Sequence, residues 1–142
     1  MSEQVSAERR DSIEASFERQ GFLHVLGAHI ARLEPGRCVI ELPFGKAVSQ
    51  QHGFFHGGVV GALADVAGGY AAMTMVDPGR DVLSLEYKIN FLRPATGAML
   101  TAHGEVLRAG RTVIVTRVDV LDVEGRLCAA MQQSIAPAPI AA

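Results

Sequence analysis

The sequence predicts an α+β domain: one long buried helix wrapped by a curved antiparallel sheet of about six strands. Three observations carry this. The stretch His56–Val76 is apolar or small on every side, and a helix of that kind has to be buried. Six shorter runs have strand character, Leu83–Arg93 most clearly. Short glycine-bearing turns join the last of them, and such turns serve antiparallel neighbours.

Ser6–Gln20 has the pattern of a helix. Ser6 can cap it, Ile13 and Phe17 share a face at i,i+4 spacing, and Gly21 can end it. Val25–Leu33 and Arg37–Leu42 follow as strands, with Glu34-Pro35-Gly36 as the turn between them. Pro43–Phe55 has no period and is expected to be a loop. After the apolar helix, Asp77-Pro78-Gly79 turns the chain into Leu83–Arg93. There Leu83, Leu85, Tyr87, Ile89 and Phe91 fall on one face, and Ser84, Glu86, Lys88 and Asn90 on the other. The remaining strands are expected near Ala98–Leu107, Thr112–Val120 and Arg126–Ile135. Ala109-Gly110 and Glu124-Gly125 lie between them. Residues 1–20 form a polar leader with a helix, 21–136 the main domain, and 137–142 a frayed tail.

The chain has 142 residues, which suits one core. A formal net charge of -2 offers no broad basic field to nucleic acid or to an anionic membrane. Asp65 near the middle of the apolar stretch argues against a membrane span, since insertion would cost about 3 kcal/mol for that acid. The polar N-terminus does not resemble a secretory signal, so a cytoplasmic location is expected. Cys38 and Cys128 stand far apart in apolar segments, as buried free thiols do, and no Cys/His cluster points to a metal. No cofactor is called for.

The informative residues are Gln50-Gln51-His52-Gly53-Phe54-Phe55-His56-Gly57-Gly58, followed by Leu63-Ala64-Asp65. An acid inside a buried helix is costly unless it is paired or hydrogen-bonded, and such carboxylates gather at functional sites. A structural acid satisfied by nearby hydroxyls or amides is the plainer alternative. A helix starting near Gly57 presents free amide N–H groups and the positive end of its dipole. With no side chain at Gly57 or Gly58, a carbonyl oxygen can approach those amides.

The pattern Gln50-x-x-Gly53-x-x-His56-Gly57-Gly58-x-x-x-x-Leu63-x-Asp65 resembles the signature of PaaI-type hotdog-fold thioesterases. Ile89-Asn90-Phe91-Leu92-Arg93-Pro94-Ala95 resembles the strand that follows the central helix of that family, and Gly110-Arg111 its recurrent hairpin turn. The likeness runs from Gly21 to Ser134. It implies a hotdog fold and hydrolysis of an acyl-CoA, aryl or short-to-medium in chain, to a carboxylic acid and CoA. By the same likeness Asp65 is nucleophile or general base, and the Gly57 N–H polarises the thioester carbonyl. His56 shapes the pocket at the helix start. Gln50 stands where many members carry Asn. Ser84 matches a Ser/Thr position that holds the attacking water in some relatives.

Gly57 and Asp65 are eight residues apart, about 12 Å along a straight helix. A base or nucleophile must lie within about 3 Å of its target. If both residues act on one carbonyl, they come from different chains. That predicts a homodimer, or a homotetramer built from it, with sites at the interface. Gly58, His52, Gly53, Phe55 and Arg93 are candidate substrate contacts. Lys88, Arg108 and Arg111 are further candidate cations for phosphates, and Tyr70 and Met73 candidate acyl contacts. A non-catalytic acyl-CoA-binding module on the same fold is the alternative function, and thiol release from an acyl-CoA separates the two.

Overall fold

The computed structural model describes residues 4–139. Two short helices lead: α1 (Ala7–Glu18) and α2 (Gly21–Leu26). Strands β1 (His29–Glu34) and β2 (Arg37–Pro43) follow, then the long helix α3 (Gly57–Met73). Four more strands complete the chain: β3 (Arg80–Phe91), β4 (Met99–Ala109), β5 (Ile114–Leu121) and β6 (Leu127–Pro139). The six strands form one antiparallel sheet in the order β1-β2-β4-β5-β6-β3. This is the expected hotdog arrangement, with α3 as its centre.

Alternation explains what lines the inside of the sheet. Cys38, Ile40 and Leu42 of β2, Leu100 and Ala102 of β4, Val118 and Val120 of β5, and Ala129 and Met131 of β6 are buried. They meet Leu63, Ala64 and Ala67 of α3 in the same core. Helix and sheet approach closely at Gly104, where a Cβ would stand 2.5 Å from the Ala67 carbonyl oxygen. Both cysteines are free and buried, and burial pushes the Cys38 thiol up to about 12. Among the described residues no helix is long and apolar enough to cross a membrane.

α1 starts at the Ser6 cap, whose side chain accepts from the Arg9 N–H. Ile13 and Phe17 of α1 join the core of the sheet. Arg9, 3% exposed, donates through Nη2 to the carbonyl oxygens of Val76 (2.9 Å), Arg80 (3.1 Å) and Asp77. It thereby ties α1 to the turn between α3 and β3.

Three expectations are corrected. Val25–Leu33 is not one strand. Its first part closes α2, which ends at Gly27 with φ 82°, and β1 begins at His29. The tail is ordered as far as Pro139. Leu83, Val82, Asp81 and Arg80 of β3 pair with Ala136, Pro137, Ala138 and Pro139. There β5 has ended, so one edge of β6 is open and residues lacking an N–H are tolerated. Residues 140–142 of the expected tail lie outside the described ones. Finally, β3 does not alternate evenly, because its register with β6 shifts between Ser84 and Glu86. This bulge changes which side chains share a face. Ser84 turns toward α3 together with Tyr87 and Phe91, while Glu86, Lys88 and Asn90 face outward beside Arg117, Gln132 and Ser134.

Candidate functional site

β3 runs along one flank of α3 in the opposite direction, so their residues meet in steps. Ser84 touches Asp65, the Tyr87 hydroxyl lies against Gly61, and the Phe91 ring lies against Gly57. Glycine at 57 and 61, one turn apart, leaves room for these two aromatic side chains. The flank holds two separate hollows, one at each end.

The first surrounds Asp65. It is a cleft of about 240 Å³ lined by Asp65, Val66, Gly69 and Ser84, and closed by Tyr70, Ser16 and Gln20. Asp65 is half-buried. Ser84 Oγ donates to Asp65 Oδ1 at 2.7 Å, and Gln133 Nε2 of β6 donates to the same oxygen. Gln133 Nε2 also lies 2.9 Å from Ser84 Oγ, and Gln133 Oε1 accepts from the Thr116 hydroxyl of β5 at 3.0 Å. At the far wall the Tyr70 hydroxyl lies 2.6 Å from Gln20 Nε2, which donates to it, and 3.1 Å from Ser16 Oγ. Burial pushes the Tyr70 phenol up from its ordinary value. Met73 lines this cleft too.

The second hollow, of about 450 Å³, lies at the start of α3. Gln50, Phe55, Gly57, Phe91, Arg93 and Cys128 line it, with Phe54 and Leu92 at its rim. The Gly57 N–H donates to no acceptor among the described residues, as expected of a first-turn amide. Gln50 shapes the approach. Its Oε1 accepts from the His52 N–H at 2.5 Å and the Phe54 N–H at 3.3 Å, while its Nε2 has no partner among the described residues. Phe55 is buried and packs edge-on against Phe44, with ring centroids 5.0 Å apart.

The structure thus brings Asp65 and Ser84 together in one hollow, and Gln50, Phe55, Gly57 and Arg93 in the other. Tyr70 and Met73 join the first of these, whereas His52, Gly53, His56, Gly58, Lys88, Arg108 and Arg111 line neither. His56 is the N-cap of α3, and its Nδ1 accepts from the Gly58 N–H at 2.8 Å, which occupies that amide. Gly53, with φ 81°, completes the tight turn from Gln50 to Phe54, and His52 sits exposed on it. Gln133, Thr116, Ser16 and Gln20 were not singled out from the sequence. A signal existed for two of them. Gln133 falls in phase with Met131 and Ile135, and Thr116 with Ile114 and Val118, so each is a polar residue in the buried phase of a strand.

A family model described as the thioesterase superfamily matches residues 52–129, a span that holds Gly57, Asp65 and Ser84. A 1,4-dihydroxy-2-naphthoyl-CoA hydrolase of Listeria monocytogenes is 30% identical over 109 residues, which is 76% of this chain and 89% of that protein. A Saccharolobus solfataricus protein provisionally named an esterase is 39% identical over 102 residues, 72% of each chain. Among solved structures, a thioesterase family protein from Silicibacter pomeroyi superposes with TM-score 0.89 at 36% identity, covering 92% of this chain and 98% of that one. The PaaI protein of E. coli has the same fold, with TM-score 0.85 at 23% identity and 97% of each chain covered. The family match, the relatives and the shared architecture agree: the chain belongs to the thioesterase superfamily and is a thioester hydrolase of hotdog fold.

Proposed function

We propose that the protein hydrolyses an acyl-CoA to the free carboxylic acid and CoA at a site shared by two subunits. Asp65 of one chain would face the Gly57 N–H of the other. The observation that carries this reading is the unbroken course of α3. Its 17 residues hold the unpaired Gly57 amide and the Asp65 carboxylate on one helix, about 12 Å apart by helical rise. Neither hollow holds both groups. Two copies with antiparallel α3 helices would join them twice. The exposed apolar side chains of edge strand β3, Leu83 (65%), Leu85 (60%) and Phe91 (57%), supply a surface for that union.

In the joined site the thioester oxygen accepts from the Gly57 N–H, whose dipole-enriched position stabilises the developing oxyanion. Asp65 either attacks the carbonyl carbon or takes a proton from water as the water adds there. In both routes the C–S bond breaks and CoA leaves. In the first, water then opens the acyl-aspartyl anhydride. Gln50 Nε2 and Arg93 flank the carbonyl end, and the cleft closed by Tyr70 receives the acyl group. An aryl or short-to-medium acyl group is in keeping with the relative named 1,4-dihydroxy-2-naphthoyl-CoA hydrolase.

A subunit-mixing experiment tests the shared site with a panel of acyl-CoAs and a thiol-detecting reagent. Asp65→Ala and Gly57→Val homodimers should each be inactive. Reassembled as an equal mixture, they should regain about a quarter of wild-type activity, because each heterodimer holds one intact site of two. Verified heterodimers without activity would rule the arrangement out.

A further inference from the structure

The two oxygens of Asp65 are treated differently by the fold. Oδ1 accepts from Ser84 Oγ and from Gln133 Nε2, whereas Oδ2 has no partner among the described residues. Gln133 is 1% exposed and Thr116 is 0% exposed, so neither can exchange its partner for water. Polar side chains inside an otherwise apolar helix–sheet contact are costly unless each is satisfied. Here each has a defined partner. A side-chain amide has one donor end and one acceptor end. The Thr116 hydroxyl donates to Oε1, which leaves the N–H end for Asp65 and Ser84. Turned round, the amide would set its oxygen against the carboxylate.

We propose that Gln133 is a positioning residue, oriented by Thr116, that occupies Asp65 Oδ1 and so makes Oδ2 the reacting oxygen. Ser84 is part of the same clamp, giving its only proton to Asp65 and accepting from Gln133. A carboxylate held this way presents the free lone pairs of Oδ2 in one direction. That matters because a misplacement of about 1 Å can cost about a hundredfold in rate. This inference rests on Asp65 being the reactive carboxylate.

Gln133→Met keeps length and burial but removes the N–H donors. Its kcat on the best-hydrolysed member of an acyl-CoA panel should fall about 10- to 100-fold, with KM changed less than about twofold. Thr116→Val should lower kcat in the same way without touching Asp65, because the amide is then free to turn. Thr116→Ser restores the hydroxyl and should recover kcat to within about threefold of wild type. If Gln133→Met does not fold, the Thr116 pair decides. The proposal is overturned if folded Gln133→Met or Thr116→Val keeps its kcat within about twofold of wild type. It is also overturned if Thr116→Ser is as slow as Thr116→Val, since keeping the hydroxyl would then not keep the rate. Asp65→Ala separates the two levels. Hydrolysis that survives in it defeats the proposed function, while hydrolysis lost there but intact in Gln133→Met defeats only the clamp.

Discussion

Gly68 and Gln133 compete for one space. A Cβ on Gly68 would overlap Gln133 Oε1 and stand 2.8 Å from Thr116 Oγ1 and 3.1 Å from a Val118 methyl. The glycine one position on, Gly69, has no atom within 4 Å of such a Cβ. Neighbouring glycines on one helix therefore make opposite predictions. Gly68→Ala should lose about 1–3 kcal/mol of stability through overpacking, and hydrolysis with it, because Gln133 must move. Gly69→Ala should be neutral, or gain up to about 1 kcal/mol from helix propensity. Chemical denaturation of both variants checks this. Equal effects would mean that helix propensity alone governs the two sites.

The free edge of the sheet offers a second test. Among the described residues β3 pairs only with β6, and Leu83 and Leu85 stand exposed on it. A twofold interface meets every substitution twice. Leu83→Lys combined with Leu85→Lys should weaken self-association at least about 100-fold, since each leucine buried at an interface contributes about 1.5–3 kcal/mol. Sedimentation across a concentration range should show monomers, and hydrolysis should fall with the dimer fraction. A fully active monomer would contradict the shared site.

A third prediction concerns acid. Asp122 closes the β5–β6 turn. Its Oδ1 accepts from the Arg126 and Glu124 N–H groups at 3.0 and 2.9 Å, and its Oδ2 from Arg126 Nε at 2.8 Å. The Arg126 backbone bond, first among these, holds the carboxyl below its ordinary value. A group whose pKa is lower folded than unfolded stabilises the fold above its unfolded pKa, and that contribution is lost as pH falls through the folded value. Thermal melting of wild type and Asp122→Asn should therefore differ most near neutrality. The gap should close as pH drops below about 4. A gap that is constant from neutrality into acid would mean that the charge plays no part.

The elements with a single unbroken period were legible in the sequence. α3 announced itself by being apolar all round, and β2, β4, β5 and β6 by their buried alternate residues. α2 was not, because it has six residues and Val25 is exposed, so the Leu23 and Leu26 that pack on the core make one turn and not a longer repeat. Asp65 and Gly57 stood out because their types are unexpected where they lie. Gln133 and Thr116 did not, because the apolar residues of β5 and β6 suffice to mark the strands and each polar side chain hides in the same buried phase. Ser84 was placed on the outer face by even alternation, which the shift before Glu86 breaks.

That shift ties the direction of Ser84 to how one residue is threaded through a strand. One surplus amino acid near Leu85 lets Val82 and Ser84 look inward together with Tyr87 and Phe91. Drawing Leu85 into regular alternation would slide the upstream pairing by one place and carry the serine to the solvent side. Deleting it would instead leave Ser84 and Glu86 as ordinary neighbours across from Ile135 and Ser134, with the serine still inward. Many different amino acids at 85 should be compatible with turnover, and so should loss of the position. Here it is the pairing of Ser84 with Ile135, more than the identity of residue 85, that keeps Asp65 and its hydroxyl partner in touch.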